Sequence, residues 1–139
     1  MSLPNPYGAP ISLEHAKKVA APALAEALKD NLSIVVAIVD TSGNLVYYEK
    51  MDNTLLGSAD VAIAKARSAA AFKRPTKEFQ DVVATGGTGL RVLALSGAVP
   101  LEGGIPLLLE GKIIGAIGVS GATSAQDSQC AQAGAEVLK

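Results

Sequence analysis

Residues 103–121 read GGIPLLLEGKIIGAIGVSG, and this stretch decides the fold. Apolar runs at 107–109 and 112–119 flank the pair Glu110-Gly111, whose glycine suits a tight turn. Only that turn separates the two runs, so they predict a β-hairpin of two antiparallel strands.

A second hairpin is predicted closer to the N-terminus. Residues 33–39 (SIVVAIV) are almost continuously apolar and rich in β-branched side chains, which indicates a central strand covered on both faces. The polar residues 40–44 (DTSGN) have turn chemistry, and 45–50 predict the returning strand. Residues 92–95 predict a further short strand.

Helical spacing accounts for most of the remaining chain. Ser12 is an expected N-cap for a helix ending near residue 30, and Ser58 for one ending near Lys73. The first helix has an apolar stripe of Leu13, Ala16, Ala20, Leu24 and Ala27. The second is apolar nearly all round, so we expect it to be buried, with a place between subunits as one option. Thr76 begins a predicted third helix, and Ser124 with Asp127 resembles the capping box of a last one.

This order predicts one α+β domain, an antiparallel sheet with helices packed on it. Residues 1–11 contain three prolines and predict an extended N-terminal arm, followed by the domain at 12–139. Such an arm is expected to be mobile or to lie on a neighbouring subunit.

Composition excludes several classes of partner. The net charge of −1 and few aromatic residues argue against nucleic acid. No apolar run approaches the ~20 residues of a membrane span. Cys130 is the sole cysteine, which favours a reducing, cytoplasmic compartment. Because 49% of residues are hydrophobic, we expect a homo-oligomer whose contacts cover apolar surface.

The order GGIPL, G-x-IIGAIGVSG, QD and AG, at residues 103–107, 111–121, 126–127 and 133–134, resembles the signature of the GlcG/HbpS-like family. Earlier pieces agree, among them the pair Met51-Asp52 and the RPT triplet at 74–76. One departure is Asn53, where relatives often have glycine. The resemblance covers nearly the whole chain.

The resemblance implies a five-stranded antiparallel sheet with flanking helices, similar to profilin. It also implies assemblies from dimers to octamers. Some relatives bind heme, and others are encoded among genes for small-acid catabolism, so the family fixes the fold better than the function.

His15 is the only histidine and therefore the first candidate for an axial ligand of heme iron. At roughly 100° per residue it lies about 160° from the stripe of Leu13, Ala20 and Leu24, so it is expected to point away from the core. A plain surface histidine is the alternative. Weaker iron-ligand candidates are Met51, Tyr47, Tyr48 and Cys130.

Lys65 shares an otherwise apolar helix face with Phe72. A partly buried amine needs an anionic partner, so Lys65 and Arg74 are candidates to hold a carboxylate, either a heme propionate or a small organic acid. The structural alternative is an ion pair with Asp60 or with an acid of another subunit.

Glycines inside strands also need a reason. Gly104, Gly115 and Gly118 allow close approach of a flat ligand, of a packed helix or of another chain. No catalytic residue can be assigned. The leading interpretation is therefore a small oligomeric protein that binds heme or a related tetrapyrrole in an apolar, glycine-walled cleft, with heme degradation as a secondary activity. The alternative is an enzyme or accessory protein of small organic-acid catabolism.

Overall fold

A computed structural model describes residues 2–138. In chain order the elements are α1 (Leu13–Lys29), β1 (Val35–Asp40), β2 (Leu45–Lys50), α2 (Ser58–Phe72), α3 (Thr76–Ala84), a 3-10 helix (Gly87–Ala94), β3 (Gly104–Leu109), β4 (Lys112–Ser120) and α4 (Ser124–Ala135). Both predicted hairpins and all four predicted helices are present, in an α+β arrangement. No helix within residues 2–138 is long and apolar enough to cross a membrane.

The four strands form one antiparallel sheet in the order β2-β1-β4-β3. β1 pairs with β2 on one side and with β4 on the other. Its residues are buried from Val35 to Val39, as expected for a central strand covered on both faces.

The expectation of five strands is wrong, because the sheet has four. Residues 92–95, predicted as a strand, belong mainly to the 3-10 helix, where Leu95 N–H donates to Val92 O at 3.0 Å. Leu93 and Leu95 are exposed, so this apolar run lies on the surface, where no neighbouring strand satisfies its backbone.

The N-terminal arm packs on its own chain, contrary to the expectation that it would be mobile or would lie on a neighbour. β1 pairs with β4 only as far as Asp40, which lies opposite Gly115. Past that point on β4, Ile113 N–H donates to Pro6 O (2.9 Å) and Ile113 O accepts from Gly8 N–H (2.8 Å). The Tyr7 hydroxyl donates to Ala70 O at 2.5 Å. The arm therefore satisfies backbone groups of β4 that β1 is too short to reach.

Helices cover both faces of the sheet. Side chains of α1 and α4 form one core cluster with Val36, Ile38 and Ile117, while alanines of α2 pack with Val35, Val39 and Ala116. The buried stripe of α1 consists of Ala16, Val19, Ala20, Ala23 and Ala27. Leu13, expected in that stripe, is 51% exposed because it lies in the first turn, ahead of the sheet contact.

The small residues of α2 pack on its own sheet rather than between subunits. Gly104 and Gly118 are register partners on β3 and β4, and both lie against α2. A Cβ at Gly118 would collide with Ala62 O, and one at Gly104 with Lys65 O. These two glycines therefore serve helix packing, and they do not wall an open cleft.

Candidate functional site

A cleft of about 340 Å³ brings together the N-terminal arm, the start of α1 and the β3–β4 hairpin. We call it the His15 cleft. Its lining residues are Gly8, Ala9, Pro10, Ile11, Ser12, His15, Leu109, Glu110, Lys112 and Ile114. Its volume is near the lower end of the ~300–1,000 Å³ typical of ligand pockets.

Local helix chemistry positions His15 in this cleft. Ser12 caps α1, and its hydroxyl accepts a hydrogen bond from His15 N–H at 3.1 Å. His15 precedes the buried Val19 by four residues, so it flanks the core-facing stripe and is half-buried. The expectation that it points away from the core is thus wrong, because the buried stripe is not centred on Leu13, Ala20 and Leu24 but extends through Val19 and Ala23 toward His15. Its ring nitrogens form no hydrogen bond with residues 2–138.

The arm forms one wall of the cleft and is held in place by β4. Ile11 N–H donates to Ile114 O at 2.8 Å, and both side chains are buried. Gly8 lies directly on Lys112, because a Cβ at Gly8 would be 2.8 Å from the Cβ of Lys112. This contact requires glycine in the arm and fixes where the Lys112 side chain starts.

The chemistry of the His15 cleft is mixed. Ile11, Leu109 and Ile114 contribute apolar surface, and Glu110 and Lys112 are exposed, charged residues of the hairpin turn. Neither charge forms an ion pair within the described chain. An imidazole, an ammonium group, a carboxylate and an apolar wall therefore share one open site.

A larger cavity, of about 680 Å³, lies between β3 and the end of α4. Its lining includes Ile105, Leu108 and Leu138, with Gln132 and Glu136 as polar members. No histidine, methionine, tyrosine or cysteine lines it among residues 2–138, so it offers none of the usual side-chain donors to heme iron.

Lys65 has a different role from the one its sequence context indicated. Its ammonium group is buried, donates to Val119 O at 2.9 Å and pairs with the Asp127 carboxylate at 3.1 Å. Burial raises the pKa of Asp127, against the opposing effect of Lys65. The partner is neither Asp60 nor another subunit's acid, and Lys65, at 2% exposure, presents no surface to a ligand.

Phe72 and Arg74 form a separate cluster with Phe79. The two phenylalanine rings meet edge to face at 5.5 Å, and the Arg74 guanidinium lies 5.1 Å from the Phe79 ring centre. Arg74 Nε also donates to Phe72 O at 3.1 Å. The predicted pair of Lys65 and Arg74 around one carboxylate does not form.

The other candidate iron ligands lie away from the His15 cleft. Met51 follows β2 and packs against the core, and Tyr47 and Tyr48 are in β2, at the opposite edge of the sheet from β3. Cys130 is buried in α4, and burial raises the pKa of its thiol to about 11. Its thiol is therefore protonated at neutral pH and is not a nucleophile.

Of the predicted site residues, only His15 lines the cleft. Gly115 lies near its wall, because a Cβ there would be 3.1 Å from Ile11 Cγ2. Sequence reasoning missed Ile11 and Lys112 as members of the site. The proline-rich arm and the charged hairpin turn are each recognisable in the sequence. Their contact with one another is not, because it is formed only in the tertiary structure.

A family model described as "Haem degrading protein HbpS-like" matches residues 11–136. The Protein GlcG of Escherichia coli K12 is 40% identical over 110 residues, 79% of this chain and 81% of its own length. An uncharacterized 15.0 kDa protein from the dhaT-dhaS intergenic region of Citrobacter freundii is 38% identical over 126 residues, 89% of each chain.

Solved structures agree with these sequence matches. A structure of HbpS is 34% identical with a TM-score of 0.83, covering 95% of this chain and 92% of its own. A crystal structure described as a PduOC:heme complex is 31% identical, also with a TM-score of 0.83, and covers 94% of this chain and 96% of its own.

Proposed function

The chain belongs to the HbpS-like family, and from that premise we propose that it binds heme or a related tetrapyrrole in the His15 cleft, with His15 as the axial ligand of the iron. The observation that carries the proposal is the placement of the only histidine, half-buried in a cleft beside apolar side chains and an exposed lysine. A neutral imidazole is the usual proximal ligand of heme iron.

The residues present fit such a group. Ile11, Leu109 and Ile114 provide apolar contact for a flat macrocycle, and the Lys112 ammonium group is a suitable partner for a propionate. When bound, heme supplies a redox-active iron. The side chains of the cleft would hold the macrocycle and shield part of it from water.

A second copy of the chain would complete the site. The cleft is open and smaller than a whole porphyrin, so the macrocycle would extend past its rim. We therefore propose a homo-oligomer, from dimer to octamer, in which a neighbour covers the exposed part of the ligand. Its setting is the cytoplasm, which the single, buried cysteine favours.

Two kinds of similarity support heme as the ligand: the description of the family and the neighbour that was crystallised with heme. Heme degradation is proposed as a secondary activity on the family description alone. The alternative, an enzyme or accessory protein of small organic-acid catabolism, is not better supported. Lys65 pairs with Asp127 and the Arg74 guanidinium lies over the Phe79 ring, so the two side chains do not share one carboxylate.

The test is a hemin titration of the wild type and of His15→Ala, followed in the Soret band. We expect saturable binding by the wild type, and for His15→Ala a shifted Soret maximum with affinity at least about tenfold weaker, equivalent to ~1.4 kcal/mol. Met51→Leu is the matched control and should behave as wild type. Identical spectra and affinities for wild type and His15→Ala would contradict the assignment.

A further inference from the structure

A third and smaller pocket lies where the β1–β2 turn meets α2. It has a volume of about 180 Å³ and is lined by Thr41, Ser42, Gly43, Arg67 and Ala71. None of these residues lines the His15 cleft, so a ligand bound here would not depend on heme bound in that cleft.

The turn that forms one side of this pocket is held by its own hydrogen bonds. The Asp40 carboxylate accepts from Ser42 N–H and Asn44 N–H, both at 2.9 Å, and Gly43 N–H donates to Asp40 O at 3.0 Å. Gly43 has φ +81°, which glycine adopts without strain. The turn thus keeps the Asp40 negative charge engaged with backbone donors.

The Arg67 guanidinium is oriented by the same turn. Its Nε donates to Gly43 O at 2.9 Å, and its stem passes Gly43 closely, since a Cβ there would be 3.5 Å from Arg67 Cγ. Its terminal nitrogens have no hydrogen bond or ion pair with residues 2–138. Arg67 is exposed, and a guanidinium held at Nε with its terminal donors unused matches the geometry of a carboxylate or phosphate.

Two hydroxyl groups supplement this cation. Thr41 and Ser42 line the pocket, and within the described chain neither hydroxyl has a hydrogen-bond partner. At ~30 Å³ per liquid water, 180 Å³ corresponds to about six waters, which limits a ligand to a few heavy atoms. The pocket therefore offers one cation and two neutral donors to a small anion.

We propose that this pocket binds a small oxyanion, with the Arg67 guanidinium as the charged partner and the Thr41 and Ser42 hydroxyls as additional donors. The shared chemistry is an oxygen-bearing group of one or two negative charges. Its sources are a short-chain carboxylate or inorganic phosphate. The site differs from the carboxylate site first expected around Lys65 and Arg74, because it is accessible, and the terminal nitrogens of Arg67 and the two hydroxyls have no hydrogen-bond partner among residues 2–138.

Calorimetric titration with sodium phosphate, and separately with sodium acetate and sodium succinate, at constant ionic strength, tests the proposal. We expect saturable binding of one anion per chain, and the anion that binds most tightly identifies the source. Arg67→Gln should weaken that binding about tenfold or more, the scale of a lost charged hydrogen bond. Arg67→Lys should also weaken it, because lysine keeps the charge but not the planar fork.

Arg91→Gln is the matched control, because it removes one positive charge from an exposed arginine outside this pocket and should leave binding unchanged. Ser42→Ala removes a hydroxyl and leaves Arg67 in place. A severalfold loss of anion affinity is expected from it even if Arg67→Gln proves unstable.

Absence of saturable binding by the wild type would overturn the proposal. Equal losses in Arg67→Gln and Arg91→Gln would also overturn it, as they would indicate nonspecific charge attraction. Hemin binding should be unchanged in all these variants.

Discussion

At position 118 the sequence predicts that a side chain would be excluded, but it does not show what excludes it. The lack of a side chain at Gly118 indicated that something approaches the sheet closely, which fits either a ligand or a helix. The structure identifies the backbone of α2, at Ala62 and Ala66, as what approaches. The two alternatives differ only in tertiary contacts, which sequence spacing does not contain.

Gly118→Ala is predicted to be strongly destabilising. The added Cβ would collide with Ala62 O and lie 2.6 Å from Ala66 N, and a helix backbone cannot move aside as a flexible side chain can. We expect the free energy of unfolding, measured by urea denaturation, to fall by about 3 kcal/mol or more, at the upper end of overpacking effects.

The matched control for this substitution is Gly57→Ala. Gly57 has φ −71°, and a Cβ added there would have no heavy atom within 4 Å, so the unfolding free energy should change by less than about 1 kcal/mol. If Gly118→Ala kept wild-type stability and lost only hemin binding, a ligand rather than α2 would approach this glycine.

Lys65 presents a similar case at the residue scale. An amine on an apolar helix face predicts a buried partner, and that expectation is met. The partner is Asp127, 62 positions away in the chain, on a helix that packs against the opposite face of the sheet. The sequence therefore predicts that Lys65 has a counter-charge but not which residue provides it.

At the scale of elements, hairpins and helices were predictable because their signals are local. Turn residues lie between paired strands, and Ser12 caps α1 as expected. Two other expected caps were wrong by one residue. Gly57, not Ser58, is the N-cap of α2 and makes no side-chain cap hydrogen bond, and the capping box of α4 is formed by Thr123 and Gln126, not by Ser124 and Asp127. The strand predicted at residues 92–95 was wrong because a short apolar run has the same composition in a strand and in an exposed 3-10 turn. The arm was mispredicted because its hydrogen bonds join it to residues from 63 to 106 or more positions away.

Removing the arm is therefore predicted to destabilise the fold. Deleting residues 1–8 removes the hydrogen bonds of Pro6 and Gly8 with Ile113 and that of Tyr7 with Ala70. It also removes the bond from Leu3 N–H to Lys73 O and those of Asn5 with Gly111 and Lys73. At ~0.5–1 kcal/mol for each bond, we expect the free energy of unfolding to fall by about 3–6 kcal/mol, and hemin affinity to fall with it.

Thermal unfolding followed by circular dichroism measures the effect of this deletion. Removing residues 1–2 alone is the control, because it keeps the hydrogen bond from Leu3 N–H to Lys73 O, and it should unfold at the wild-type temperature. An unchanged melting temperature after deletion of residues 1–8 would show that these contacts contribute nothing to stability.

At the scale of the whole molecule, apolar surface remains uncovered in the single chain. Leu56 is 91% exposed and Leu55 is 67% exposed, both in the segment between β2 and α2. Leu90 and Leu93 are also exposed, on the 3-10 helix. The surplus of hydrophobic residues noted in the sequence thus lies partly on the outside, where subunit contacts would cover it.

We predict that the protein is a dimer or a larger homo-oligomer at micromolar concentration. Light scattering coupled to size-exclusion chromatography gives the mass directly, against 14.1 kDa for one chain. The double variant Leu55→Ser, Leu56→Ser tests whether this segment takes part, and should shift the mass toward the monomer if it does. A wild-type protein that remains monomeric at that concentration would contradict the prediction.

Binding of heme in the His15 cleft, with His15 as the ligand of its iron, would be directly visible in a crystal structure of the protein with heme bound. We predict that the iron is bonded to a ring nitrogen of His15, with the macrocycle on Ile11 and Ile114 and a propionate near Lys112. Heme lodged in the larger cavity beside β3, or iron held by a side chain other than His15, would contradict the account.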